Sequence, residues 1–200
     1  MRRPQIKLHK KWSDYINKHP NSKWLVCGIG PSLRTIDLEK YKDHHIIGVN
    51  DIEKYIKPDY IVIVDRLNTF PFKRKMTILN SKCKEIFVNN PQFSREIARI
   101  VFDPSVLIEI SLKNINKDPY LDSGKIVFSN NSTFVACDIA RRMGGTDIKI
   151  IGVDFTGHKS LDNDKALTRI NNDYAILNKE FKKRGIKLTN ISKISKLKIL

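Results

Sequence analysis

The sequence predicts an α/β fold built on a mainly parallel sheet covered by helices on both faces. Three observations carry this expectation. Short, nearly continuous apolar runs recur at Trp24–Cys27, His45–Val49, Tyr60–Val64 and Glu85–Val88, the mark of strands buried on both sides. The segments between these runs leave room for crossover helices. Each run also ends in polar or glycine residues: Gly28 and Gly30, Asn50-Asp51, Asp65-Arg66, Asn89-Asn90. Ligands of open parallel sheets bind outside the carboxyl ends of the strands, although such residues also belong in ordinary turns.

The first run is the most informative. Lys23 to Leu33 reads as a strand emptying into a turn at Gly28 and Gly30, with Pro31 suited to a first helical turn and Ser32 to a cap. Glycines there allow close backbone approach to a phosphate, and a following helix start offers free N–H groups to it. Gly-x-Gly-Pro-Ser is nevertheless short of the full dinucleotide fingerprint. Before this run, Leu8, Trp12, Tyr15 and Ile16 fall at helical spacing and predict an amphipathic helix to His19. After it, a short helix is expected over Leu33–Tyr41. A helix at Phe93–Phe102, a strand at Val106–Ile110 and an Asn-rich loop able to cover a cleft at Lys113–Ser123 follow.

A second informative block begins at Ser129. Asn131-Ser132-Thr133 precedes Ala136, Ile139, Ala140 and Met143 on one helical face and reads as a helix N-terminus, closed by Gly144-Gly145. Asp147–Val153 is a strand that delivers Asp154. Ile170, Tyr174, Leu177 and Phe181 mark a last amphipathic helix ended by Gly185, with a final strand at Ile186–Ile191. Residues 1–200 read as one domain, with an N-terminal helical extension (1–22) and a basic tail (192–200).

Composition narrows the class. A hydrophobic share of 40%, without a run of about 18 apolar residues, leaves no membrane span. The first residues are charged and lack the apolar core of a signal peptide, so a cytoplasmic location is expected. Cys27, Cys83 and Cys137 are odd in number and widely spaced. They read as reduced, buried thiols rather than a disulfide frame or metal site. A net charge of +16 would attract nucleic acid, an anionic membrane surface or a phosphorylated substrate, or serve only solubility. It is uneven: Met1–Lys23 holds seven Lys/Arg against Asp14, and Arg66–Lys84 holds six with no acid.

Four blocks together resemble a known group: Cys-Gly-Ile-Gly-Pro-Ser-Leu from Cys27, Gly-Val-Asn-Asp from Gly48, Asn-Ser-Thr from Asn131, and Ile-Ile-Gly-Val-Asp-Phe from Ile150. The group comprises Rossmann-like bacterial sialyltransferases, motility-associated glycosyltransferases and 6-hydroxymethylpterin diphosphokinase-like proteins. The resemblance implies a Rossmann-like fold and nucleotide contacts from Gly28, Gly30, Pro31, Ser32, Asn50, Asp51, Asn131, Ser132 and Thr133, with Asp154 at the Gly-x-Asp strand end. Two positions depart from the pattern. Ile29 stands where the group carries a polar residue, and Thr168 stands near where the sialyltransferases place a catalytic histidine.

The chemistry expected is sugar transfer from a nucleotide donor, a UDP- or CMP-sugar, which needs a base within reach of the acceptor hydroxyl. Asp65, His158 and Asp154 are the candidate catalytic groups, Arg66 and Lys159 the candidate phosphate or polyanion contacts, and no resident metal is expected. The charge suits a polyanionic acceptor such as duplex DNA, and a resemblance to bacteriophage transferases that attach sugars to hydroxymethylated bases implies that acceptor; anionic lipid is the competing surface. One alternative is an ATP-dependent pyrophosphokinase acting on a small alcohol such as a pterin, with Mg²⁺ held by Asp51, Asp65 and Asp154. Another is a non-catalytic nucleotide- or nucleic-acid-binding module.

Overall fold

The computed structural model describes residues 10–89, 104–119, 121–129, 131–156 and 164–199. His158, Lys159, Asn90 and the helix expected at Phe93–Phe102 lie outside the described residues. The fold is α/β and Rossmann-like, around a seven-stranded, all-parallel sheet. Its strands are β1 (Ser22–Cys27), β2 (His45–Val49), β3 (Tyr60–Ile63), β4 (Ile86–Val88), β5 (Leu107–Glu109), β8 (Gly145–Ile151) and β9 (Lys187–Asn190), in the order β5-β4-β3-β2-β1-β8-β9. The remaining strands, β6 (Leu112–Asn114) and β7 (Ile126–Phe128), pair in parallel as a small second sheet.

This order makes β1 the switch point. The chain runs from β1 outward through β2 to β5, then returns to lay β8 on the other side of β1. Register puts Cys27 beside Gly48 on one flank and Ile151 on the other, so the turns after β1, β2 and β8 emerge at one level. A crevice opens where the connections from neighbouring parallel strands run in opposite directions.

The apolar strands are buried on both faces, as their near-continuous hydrophobicity requires. Trp24 and Val26 point into one core; Leu25 and Cys27 point into the other. The first core is covered by α2 (Ser132–Arg142) and α3 (Asp164–Lys182), which bury Phe134, Ile139, Tyr174 and Phe181. The second is covered by α1 (Phe72–Leu79) and short 3-10 turns. Among the described residues, no helix is long and apolar enough to cross a membrane. The three cysteines are buried and unpaired, and burial pushes the Cys27 and Cys137 thiols up, which keeps them inert.

Several local expectations give way to shorter structure. In place of the helix over Leu8–His19, the described part holds a 3-10 turn at Trp12–Tyr15, followed by Asn17 at φ 55°. Leu33–Tyr41 is not one helix but two 3-10 turns, Pro31–Thr35 and Leu38–Tyr41. Ile36 breaks them in an extended conformation, and Asp37 caps the second by accepting from the Glu39 amide. The Asn-rich run Lys113–Ser123 opens as part of β6, and its far end is tied to helices. Arg141 and Arg142 donate to the Leu121 carbonyl, Arg142 also reaches Ser123, and both guanidiniums pair with the fully buried Asp138. None of its described residues lines the cleft below.

Candidate functional site

A cleft of about 700 Å³ lies at the carboxyl edge of the sheet, over the switch point. Its floor is the turn after β1, Gly28 to Pro31, against Gly152 to Thr156 after β8. Val49 and Asn50, Asp65, and the α2 N-terminus at Asn131–Thr133 form its walls, with Phe70 and Arg74 closing one side.

The floor is made by glycines that let two turns touch. The Gly28 amide donates to the Ile151 carbonyl at 2.8 Å and the Gly30 amide to the Gly152 carbonyl at 2.8 Å. A Cβ on Gly28 or Gly152 would strike the other's carbonyl, and Gly152 has φ +71°. A Cβ on Gly30 would lie 2.6 Å from the Asp154 carboxylate and 2.7 Å from the Gly152 carbonyl. The glycine turn therefore gives the cleft its shape, while the amides of Gly28 and Gly30 are committed to β8 and its turn. Gly30→Val is expected to abolish any nucleotide-induced thermal shift, because the new side chain wedges the two turns apart; a retained shift would show that the floor tolerates separation.

Asp154 and Ser32 lock this contact. The buried Asp154 carboxylate accepts from the Ser32 amide (2.8 Å), the Ser32 hydroxyl (2.7 Å) and the Ser192 hydroxyl (2.6 Å). Ser32 Oγ in turn accepts from the Gly152 amide at 3.0 Å. Ser32 is thus a buried tie behind the wall rather than a helix cap, since Gly30 occupies the cap position. With three donors on its two oxygens, Asp154 has the surroundings of a positioning residue rather than of the base expected from the sequence.

The other acids separate by environment. Asp51 is buried and paired with Arg74, which bonds its Oδ1 through Nε at 2.7 Å and through a terminal nitrogen at 2.7 Å. It does not line the cleft, where a nucleotide contact was expected of it; it holds Arg74, which does. The Arg74 guanidinium also lies 5.1 Å from the centre of the Phe70 ring. Asp65 stands at the exposed rim. Enough protein surrounds its carboxyl to raise its pKa by desolvation, against the lowering pull of Arg74. Asp51, Asp65 and Asp154 thus do not combine into a Mg²⁺ centre, and no group of three His, Cys, Asp or Glu among the described residues could hold a metal ion. Arg66 caps a 3-10 turn outside the cleft.

At the opposite wall, Asn131 caps α2 by accepting from the Phe134 amide at 3.1 Å, and its Oδ1 also takes the Thr133 and Tyr174 hydroxyls. Its side-chain oxygen is fully used. The Ser132 and Thr133 amides, in the first turn, have no intrahelical acceptor and lie at the positive end of the helix dipole. Asn50 differs: its Oδ1 is buried without a hydrogen-bond partner, and its backbone sits at φ 55°. Phe155, a bulky residue on the cleft floor, has φ 54°. Non-glycine residues in this region cost energy and cluster at functional sites. Sequence reasoning missed Phe70, Arg74 and Phe155; nothing in their spacing signals the cleft, though Phe155 directly follows the Gly-x-Asp strand end.

No family model matches the chain, and no curated protein matches it by sequence. Solved structures do match its fold. The sialyltransferase CstII from Campylobacter jejuni in complex with the substrate analogue CMP-3FNeuAc superposes at TM-score 0.54 and 16% identity, covering 88% of this chain and 83% of that one. CST-II in complex with a trisaccharide acceptor and CMP gives the same TM-score, identity and coverage. The apo α-2,3-sialyltransferase from C. jejuni gives TM-score 0.51 and 17% identity over 88% of this chain and 77% of that one.

Proposed function

We propose that this chain is a nucleotide-sugar-dependent glycosyltransferase whose donor lies in the switch-point cleft. The observation that carries the reading is Asn50 Oδ1, a buried acceptor in the cleft with no hydrogen-bond donor among the described residues. It suits a ribose hydroxyl or the exocyclic amine of cytosine. Phosphate suits the α2 N-terminus, where the Ser132 and Thr133 amides stand free of intrahelical partners. Arg74 at the cleft wall suits the charge that develops on the leaving phosphate. The likeness to sialyltransferase structures in complex with CMP and CMP-3FNeuAc supports a CMP- or UDP-sugar as donor.

Asp65 is the group placed to take the acceptor proton. It is the carboxylate of the three that is neither paired with a cation nor held by serines, and its raised pKa brings it closer to the optimum for a base. The acceptor we favour is a hydroxyl on DNA, such as a hydroxymethylated base, because a net charge of +16 suits a polyanion. A thermal-shift panel of CMP, UDP, GDP, ATP with Mg²⁺ and the corresponding sugar nucleotides tests the donor. A shift with a sugar nucleotide is expected; a shift with ATP and Mg²⁺ alone would favour pyrophosphoryl transfer instead.

Asn50→Gly separates recognition from folding. Glycine accepts φ 55° without strain, so the melting temperature is expected to change little. Loss of the one acceptor should weaken donor binding by up to about tenfold, the worth of roughly one hydrogen bond. Unchanged affinity by calorimetry would remove Asn50 from the donor site.

A further inference from the structure

A second concavity, about 980 Å³, opens along α1 (Lys73, Met76, Thr77 and Asn80). Lys54, Lys57, Lys73, Lys82 and Lys84 line it, all exposed, and there is no arginine among its lining residues. Its two acids are occupied: Glu53 accepts from the Lys82 amide at 3.1 Å and Asp59 from the Ile46 amide at 2.8 Å. None of the five lysines has a carboxylate partner among the described residues. Some lysines elsewhere are paired with carboxylates, as Lys18 with Glu85, Lys23 with Asp43 and Lys149 with Asp147. The groove thus gathers five lysines against two carboxylates, a net positive charge with no ion pair among the described residues.

We infer that this groove seats the sugar-phosphate backbone of duplex DNA. Lysine ammonium groups are point charges that accept phosphates in many orientations, whereas paired recognition of carboxylates favours arginine forks. A concave wall admits a phosphate-bearing strand but not the flat surface of a bilayer. Lys73 on its wall directly precedes Arg74, which lines the cleft. Phosphate contacts position DNA without reading its sequence. The inference rests on the DNA half of the proposed function and not on the donor, since the two concavities share no lining residue.

The test is fluorescence anisotropy with a labelled duplex of about 20 base pairs, titrated between roughly 50 and 200 mM salt, where phosphate-driven affinity falls steeply. A variant with all five groove lysines changed to Gln is compared with one in which Lys117, Lys125, Lys182, Lys187 and Lys198 are changed to Gln. Both lose the same net charge. The groove variant is expected to bind at least about tenfold more weakly than the control, with a salt slope flatter by about 0.9 for each phosphate contact removed. Equal weakening of both variants would overturn the inference, as would a wild-type protein that ignores duplex DNA yet sediments with phosphatidylserine vesicles. Sugar-nucleotide thermal shifts measured on the groove variant keep the two readings apart. Retained shifts with lost DNA binding support the groove. DNA binding through the groove without any nucleotide shift in the wild type leaves the groove standing and removes the transferase.

Discussion

Asp65→Asn is expected to lower kcat by about 10²- to 10⁴-fold while leaving donor affinity unchanged, the range a positioned general base supplies. The side chain stands at the rim and makes no contact that holds the cleft together, so folding should be unaffected. The pH profile gives a sharper check. Desolvation raises the Asp65 pKa above the ordinary aspartate value of about 3.8, with Arg74 opposing. A base works once deprotonated, so kcat/KM of the wild type should rise with pH through that raised pKa and then level off. Stability runs the other way. Between the unfolded and the raised folded pKa the native state holds more protons, so this group's contribution to stability falls as pH rises through the window. Asp65→Asn should remove both dependences. A variant with unchanged kcat, or with the acid limb of the profile intact, would exclude Asp65 as the base.

Asp154→Ala is expected to cost about 3–5 kcal/mol in urea denaturation, because three donors lose their acceptor in a buried place and each unpaired group costs roughly 1–3 kcal/mol. Against a typical domain stability of about 5–15 kcal/mol, such a loss is large. Nucleotide binding should disappear with it, since the carboxylate ties Ser32 to the turn after β8 and to Ser192. Ser192→Ala removes one of the three donors and should cost much less, with binding retained. If Asp154→Ala melts like the wild type and still binds nucleotide, the tie has no role in shaping the floor.

The chain by itself determined its fold class. Continuous β-branched runs such as Tyr60–Ile63 can be satisfied only by burial on both faces, and the structure places all four of those residues in cores on opposite sides of the sheet. The N-terminus of α2 was equally legible, because Asn131 caps by a local bond three residues long. Turn glycines at Gly28 and Gly30 announced themselves too, though their reason did not. Read along the chain, they suggested approach to phosphate; in space, they let the turns after β1 and β8 touch across more than 120 residues of sequence.

Tertiary structure alone decided which polar residues are free. Asp51, Asp65 and Asp154 look alike in the sequence, each a carboxylate at or beside a strand end. Packing then pairs Asp51 with Arg74, surrounds Asp154 with serines and leaves Asp65 at the rim. Asn50 and Asn131 are separated in the same way: among the described residues one carries an acceptor without a donor, and the other an oxygen that takes three. The physical reason is common to all of these. Whether a strand end is polar follows from local chemistry, but whether its hydrogen bonds are already spent depends on partners that only the strand order brings near.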